Sequence, residues 1–298
     1  MTLDSGPDPT VRVTPHERAA LLVEALPYIQ RFRGRVVVVK YGGNAMVDPS
    51  LATTFAEDIV LMHSVGMRPV VVHGGGPQIS DLMGRLGKEP EFRDGLRVTD
   101  AETIDIARMV LVGKVNRDIV GAINRHGPLA VGVSGEDAHL IRAEARHPDL
   151  GFVGDVDSVN PVILDRLLAE EVIPVVSTIG ADASGQAYNI NADAVAGAVA
   201  AALRAEKVVY LTDIEGLLAD VADPGSLISR IDAPALQRLV DDGSLRGGMI
   251  PKIAACLHAV AHGVGSAHLL DGRLPHVVLL ELFSDGGVGT MITAGSPS

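Results

Sequence analysis

Arg35-Val36-Val37-Val38-Val39-Lys40-Tyr41-Gly42-Gly43-Asn44 decides the fold. Four consecutive valines leave no polar face, so the run reads as a parallel strand covered by helices on both sides. It ends on a lysine and two glycines. Outward along the chain the arrangement recurs at residues 69–72, which run into His73-Gly74-Gly75-Gly76-Pro77-Gln78 at the start of a helical pattern. Further β-branched runs lie at 130–133, 173–176, 207–211 and 276–280, and helical patterns near 50–65, 77–87, 100–125, 161–169, 192–204 and 251–262 alternate with them. This rhythm predicts an α/β/α sandwich around a mainly parallel, open central sheet. Residues 151–160, with alternating Val and Asp, read as a hairpin or edge strand. Residues 1–14 read as a flexible tail that ends in Thr14. Thr14-Pro15-His16-Glu17 supplies an N-cap, a first-turn proline and a capping-box glutamate, so a helix over 15–33, kinked at Pro27, precedes the first strand.

Composition narrows the function. The 298 residues are 47% hydrophobic, enough for a sizeable core. Lys and Arg number 25 against 37 Asp and Glu, a formal charge of −12, which argues against a sequence-independent grip on nucleic acid or an anionic membrane. Any anionic ligand must be held locally. The single cysteine, Cys256, excludes an intrachain disulfide framework. The polar N-terminus and the lack of an apolar run of about 18 residues give the expectation of a cytoplasmic protein. Only five of the basic residues are lysines (Lys40, Lys88, Lys114, Lys207, Lys252), so a lysine beside a glycine loop draws notice.

In open parallel sheets ligands bind beyond the carboxyl ends of the strands. Glycines there let backbone N–H groups approach oxyanions, and a helix N-terminus adds positive potential. One such loop alone is equally consistent with a tight turn; several together point to an anion site. No G-x-x-x-x-G-K-[ST] occurs and no G-x-G-x-x-G follows the first strand, which argues against a Walker-type ATPase and a dinucleotide dehydrogenase.

KYGGNAM (40–46), HGGGPQI (73–79), GLRVT (95–99), NINAD (189–193), LTDIEGLL (211–218) and GGMIPK (247–252) occur in that order. Together they resemble the amino-acid kinase superfamily, and within it the N-acetyl-L-glutamate kinases of arginine biosynthesis, over about residues 16–293. The resemblance implies transfer of the terminal phosphoryl group of ATP to the side-chain carboxylate of N-acetyl-L-glutamate. It assigns Lys40 and Lys252 as cations on the transferring phosphoryl, with Asp193 holding their ammonium groups. Gly75, Gly76, Arg97 and Asn189 fall to the acceptor; Gly42, Gly43, Thr212, Asp213, Gly216, Gly247, Gly248 and Met249 fall to the nucleotide. Residues 34–205 would then form the acceptor lobe and 206–298 the nucleotide lobe. Taken singly, Lys252 reads as a first-turn lysine, Asp193 as an N-cap and Arg97 as a surface arginine. A carboxylate acceptor is already ionised at pH 7, so no general base is needed and His73 reads as structural. MgATP is the implied cofactor, with Mg²⁺ bound mainly through the phosphates and no metal ligand named in the chain.

Two features resemble the arginine-inhibited subgroup. The helix over 15–33 resembles the one that interlaces dimers into a hexamer, a trimer of dimers, in those members. Residues 265–272 and 281–290 resemble the segments that shape their L-arginine pocket, implicating His268, Glu281, Gly287 and Gly289, with Glu281 facing the guanidinium. Ser284 stands where that subgroup commonly has Thr. Two rival readings remain at this point. One is another carboxylate or carbamate kinase of this fold; the other is a non-catalytic arginine or nucleotide-binding regulator.

Overall fold

The computed structural model describes residues 14–46, 48–220, 223–243, 245, 249–284 and 287–295. Helix α1 (Pro15–Phe32) opens on the expected capping box: Glu17 N donates to the Thr14 hydroxyl, and Thr14 N donates to the Glu17 carboxylate. The helix continues through Pro27 to the buried Phe32. Strand β1 (Val36–Tyr41), helix α2 (Pro49–Ser64), strand β2 (Arg68–His73) and helix α3 (Gly76–Arg85) follow. A short hairpin, β3 (Phe92–Arg93) and β4 (Leu96–Arg97), leads to α4 (Ala101–Arg108), which passes through a π-helical turn at Met109–Val115 into α5 (Asn116–Asn124). Next come β5 (Ala130–Ser134), β6 (Ile141–Ala145), β7 (Val153–Val159), α6 (Val162–Ala169), β8 (Ile173–Ser177), β9 (Ile179–Ala181), β10 (Ala187–Ile190), α7 (Ala192–Ala202) and β11 (Lys207–Thr212). The remaining elements are β12 (Arg230–Asp232), α8 (Ala233–Asp241), α9 (Met249–Ala261), β13 (Ser266–Asp271), α10 (Val277–Leu282) and β14 (Thr290–Thr293).

Eight strands form one sheet in the order β12-β14-β13-β11-β1-β2-β8-β5, parallel throughout except for the β13–β14 pair. The valine run explains why it is central. Val37 and Val39 enter the core on one face with Phe55, Ile59 and Val71, while Val38 enters the core on the other with Val70, Val72 and Val199. Each fully buried valine contributes roughly 1.5–3 kcal/mol, so an exposed face would waste this sequence. The sheet is continuous across residue 205, because Lys40 pairs in register with Tyr210 of β11 as well as with Val72 of β2. That register brings the carboxyl ends of β11, β1 and β2 to one edge.

Two expectations need correction. Residues 276–280 are not a strand. They enter α10, preceded by His276 in a left-handed conformation at φ 57°. The strand in this region is β13, whose Ser266, His268 and Asp271 disguised it although all three are buried. A four-residue apolar run, Val277 to Leu280, does not by itself separate strand from helix. Residues 151–160 do carry a strand, β7, but it belongs to a small closed barrel with β6, β9 and β10, apart from the main sheet. Among the described residues, no helix is long and apolar enough to cross a membrane.

Candidate active site

Three distant segments meet at a charged cluster. β1 delivers Lys40, the first turn of α7 delivers Asp193, and the first turn of α9 delivers Lys252. Lys40 Nζ lies 3.1 Å from Asp193 Oδ1, and Lys252 Nζ donates to Asp193 Oδ2 at 3.0 Å. The side chains of Lys40 and Asp193 are 9% and 6% exposed, that of Lys252 25%. The Lys40 contact is an ion pair rather than an aligned hydrogen bond. Burial pushes the Asp193 pKa up, but the two ammonium groups outweigh it and hold the carboxyl below its ordinary value. The carboxylate therefore stays ionised and clamps two cations side by side, an arrangement suited to charge that develops on a bound anion.

The NINAD stretch builds its end of the cluster locally. Asn191 caps α7, accepting from Asp193 N at 2.8 Å and Ala194 N at 3.3 Å, so the cap fixes the residue that fixes the lysines. The expectation that Asp193, read singly, is the cap is thus replaced by Asn191. Close approach of α7 and α9 depends on Gly197, where an added Cβ would lie 3.1 Å from Ala255 O and 3.0 Å from the Tyr210 hydroxyl. Asn191→Ala should lower stability by about 1 kcal/mol through loss of the cap, measured as a fall in the urea midpoint at unchanged slope.

The glycine loops border this cluster. A Cβ at Gly42 would sit 2.8 Å from Lys40 Nζ, and Gly43, at φ 68°, would put one 2.9 Å from an Asp213 carboxylate oxygen. Gly75 is the N-cap of α3 and Gly76 its first residue. Gly74 N donates to Tyr41 O at 3.0 Å, tying this loop to β1, and an added Gly74 Cβ would lie 3.5 Å from Ala192, next to Asp193.

Arg97 is not a surface residue. It is 7% exposed, stacks 4.7 Å from the Phe92 ring centroid, and donates from Nη2 to Gly76 O at 2.9 Å and Ser80 Oγ at 2.8 Å. Burial lowers its pKa from the ordinary value, but guanidinium stays charged. Asn189 reaches the same region through a backbone relay: Phe152 N donates to Thr99 O at 2.7 Å, and Asn189 N donates to Phe152 O at 2.9 Å. Arg97, Gly76 and Asn189 thus belong to one connected framework.

At the β11 end, the Thr212 hydroxyl bonds to Ile214 O and Leu270 O, shaping the turn that presents Asp213 toward Gly43. Gly216, at φ 150°, leaves room for Thr290 Oγ1, which would be 2.6 Å from a Cβ there. Met249 opens α9. Gly247 and Gly248 lie outside the described residues. The backbone space at Gly42 and Gly43 beside Lys40 fits a polyphosphate. Among the described residues, no group of three or more His, Cys, Asp or Glu side chains is arranged to hold a metal. A cavity of 320 Å³ between α2 and α5 is lined by Tyr41, Met46, Phe55, Gln78 and Val115, with none of the three clustered charges in its lining.

A second polar cluster gathers His268, Glu281, Gly287 and Gly289. His268 Nδ1 lies 2.7 Å from Glu281 Oε1, and Glu281 Oε2 accepts from Val288 N at 3.0 Å. Gly287 (φ 59°) leaves that carboxylate space, since a Cβ would approach to 2.9 Å, and a Cβ at Gly289 would collide with Leu269 O at 2.1 Å. Burial raises the Glu281 pKa, yet His268 and Val288 N more than reverse it; burial lowers that of His268. A neutral imidazole therefore donates from Nδ1 to an ionised glutamate. Sequence reasoning missed three members: Ser266 and Lys207, 2.8 and 3.0 Å from His268 Nε2, and Phe32 of α1, whose ring centroid is 5.4 Å from Lys207 Nζ. Burial pulls the Lys207 pKa down to about 8. The scarcity of lysines was the available signal for Lys207. Tyr28 of α1 also meets Phe283 edge-on at 6.4 Å, so α1 packs against this cluster.

The family model for the amino acid kinase family matches residues 35–271. The acetylglutamate kinase of Moorella thermoacetica is 52% identical over 294 residues, covering 95% of this chain and 99% of its own length. That of Rhodococcus jostii is 54% identical over 293 residues, covering 96% and 94%. Among solved structures, N-acetylglutamate synthase from Neisseria gonorrhoeae with coenzyme A and N-acetyl-glutamate superposes at a TM-score of 0.81 with 27% identity, over 94% of this chain. The chain spans 64% of that synthase's length. The same synthase solved with coenzyme A and L-arginine gives 0.79 at 26% identity, over 93% of this chain and 65% of that one. Giardia carbamate kinase, at 0.65 and 16% identity over 88% of this chain and 99% of its own, shares the fold.

Proposed function

The chain belongs to the amino acid kinase family, and from that premise we propose that the Lys40–Asp193–Lys252 cluster is where it moves a phosphoryl group from MgATP to its acceptor. The chain is a kinase whose acceptor is N-acetyl-L-glutamate, in arginine biosynthesis, its relatives of more than 50% identity over nearly their whole length being acetylglutamate kinases; the group phosphorylated is the side-chain carboxylate. The observation that carries the assignment of the site is the ionised Asp193 carboxylate holding two ammonium groups 3.0 and 3.1 Å away at the carboxyl edge of the sheet.

Phosphoryl transfer needs positioning and charge stabilisation more than covalent chemistry. Lys40 and Lys252 stabilise the equatorial oxygens of the transferring group, and Asp193 holds both ammonium groups in place. Gly75 and Gly76 N–H groups stand at the positive end of α3, ready for the oxyanion. Arg97 pairs with an acceptor carboxylate, and Asn189 bonds its polar groups. Gly42, Gly43, Thr212, Asp213, Gly216 and Met249 surround the nucleotide, with 34–205 serving as acceptor lobe and 206–298 as nucleotide lobe. Magnesium, bound through phosphates, supplies charge neutralisation. The acceptor carboxylate is the nucleophile and is ionised at neutral pH, so no side chain removes a proton.

A coupled ADP-release assay with MgATP compares N-acetyl-L-glutamate with free glutamate, aspartate and carbamate. Turnover confined to the acetylated acceptor is expected; turnover with another acceptor would overturn the substrate assignment. Arg97→Lys should raise the KM for N-acetyl-L-glutamate by about 10–100-fold, because an ammonium cannot reproduce the fork, while the KM for MgATP changes by less than about threefold.

The second cluster supports feedback inhibition by L-arginine. Glu281 offers an ionised carboxylate to a guanidinium, and α1, through Phe32 and Tyr28, reaches the same place, which also supports a hexamer built as a trimer of dimers through α1. A synthase that shares this fold was solved with coenzyme A and L-arginine, which is in keeping with this reading. Glu281→Gln should raise the arginine concentration for half-inhibition by at least about tenfold, each enzyme being referred to its own uninhibited rate. A wild-type rate that stays flat to millimolar L-arginine would remove the effector.

A further inference from the structure

His73 and Asn116 stand behind the acceptor glycine loop, and the reaction as described uses neither. His73 ends β2 with no exposed surface, its Nδ1 2.9 Å from Gly74 O and its Nε2 3.1 Å from Asn116 Nδ2. Asn116, also buried, opens α5 directly after the π-helical turn. Its amide nitrogen donates to Val175 O at 2.8 Å, and its Oδ1 accepts from Arg117. These partners settle which atoms donate. Because Asn116 presents N–H to His73, His73 Nε2 accepts, and the ring proton sits on Nδ1, donated to Gly74 O. Burial lowers the His73 pKa to about 4, so the ring is neutral at working pH and the tautomer is set by Asn116.

This bond fixes a peptide plane. Gly74 is held from both sides, its N–H by Tyr41 O and its carbonyl by His73. The 74–75 peptide is trans and planar, so a carbonyl turned inward to His73 turns the Gly75 N–H to the opposite side. The Gly75 carbonyl is occupied as well, accepting from Ile79 N at 2.9 Å, whereas its N–H meets no acceptor among the described residues. The π-helical turn backs the loop: a Cβ at Gly75 would lie 2.6 Å from Leu111 Cδ2 and 3.3 Å from Val115 Cγ2. The loop has no room to rotate toward that wall.

We propose that His73 and Asn116 are positioning residues that aim the Gly75 N–H at the oxyanion of the reacting acceptor or phosphoryl group, through the chain Arg117 to Asn116 to His73 to the Gly74 carbonyl. The inference rests on the assignment of Gly75 to the acceptor side. Removing one preorganised oxyanion donor costs about 10²–10³-fold in kcat, so a donor left in place but misaimed costs about 10–100-fold.

Three variants test it. His73→Asn keeps an N–H close to the Nδ1 position and so retains the bond to Gly74 O. His73→Gln extends past it and keeps only the partner for Asn116. Asn116→Asp places an acceptor oxygen against Nε2, drawing the ring proton there and away from Gly74. The expected result is an order in kcat: His73→Asn within about tenfold of wild type, His73→Gln and Asn116→Asp lower by about 10–100-fold, with the KM for MgATP within about twofold for all three. Urea midpoints are measured in parallel. Equal kcat for the two His73 variants, or losses that follow the urea midpoints and the MgATP KM together, would overturn the proposal. The wild type run alongside reports separately on the acceptor: if it ignores N-acetyl-L-glutamate, that assignment falls, and the variants are ranked on whichever tested acceptor it does use.

Discussion

Lys252→Ala lowers kcat by on the order of 10³-fold, while the KM values for MgATP and N-acetyl-L-glutamate move by less than about fivefold. The reason is where the ammonium's interaction grows. In the ground state Lys252 is already paired with Asp193 at 3.0 Å, so ground-state binding draws modestly on it. In the transition state, charge spreads over the equatorial oxygens of the transferring group, and the second ammonium of the clamp gains most there. An interaction made mainly in the transition state appears in kcat rather than KM. Lys252→Arg restores the charge but not the point geometry, and recovers only part of the rate. Steady-state kinetics, with circular dichroism to establish folding, separate these outcomes. A loss expressed mainly as a raised MgATP KM would reassign Lys252 to nucleotide binding.

Asp193→Asn has the second large effect, and it falls on stability as well as rate. Asp193 lies between two lysines, Lys40 being nearly as buried as Asp193 itself. Taking its charge away leaves two ammonium groups facing a neutral amide, and breaking a buried ion pair from one side costs about 3 kcal/mol. The pH dependence follows from the sign of the shift. The folded pKa lies below the ordinary value of 3.8, so the ionised clamp contributes in full above that value and is lost only as pH falls through the lower, folded one. The stability gap between wild type and Asp193→Asn should therefore be flat across neutral pH and close only under strong acid. Urea titrations at several pH values measure it. A gap that shrinks on going from pH 8 to pH 6 would contradict an Asp193 held ionised by its lysines.

The valine run carried the fold because its message is local: no face of residues 36–39 is polar, and the glycines after it mark the strand's end. The same logic placed Lys40, since a residue at the carboxyl end of a central parallel strand faces the ligand edge. Asp193 was legible only with the motif around it, because its partners lie far away along the chain and composition does not announce such pairs. The barrel of β6, β7, β9 and β10 escaped because its strands are three to seven residues long and its closure is set by pairings such as Arg142 with Ala181. The apolar run at 277–280 misled for a related reason, being too short to show a period. Lys207, Ser266 and Phe32 were missed beside His268 because β13 and α1 are brought together only by the sheet and the core. His73 was read as structural, which its burial supports; what the sequence hid was its hydrogen bond to the next residue's carbonyl, a matter of one peptide's orientation.

The chemistry proposed for the lysine pair clamped by Asp193 is transfer of a phosphoryl group to a carboxylate oxygen of N-acetyl-L-glutamate. Trapping the product with hydroxylamine tests it most directly, since an acyl phosphate yields a hydroxamate and other phosphorylated products do not. Wild-type enzyme with MgATP should give hydroxamate from N-acetyl-L-glutamate and none from free glutamate, and Lys40→Ala and Lys252→Ala should give little from either. ADP release without hydroxamate would rule out an acyl phosphate product, and hydroxamate formed undiminished by both lysine variants would rule out the lysine pair as the site of transfer.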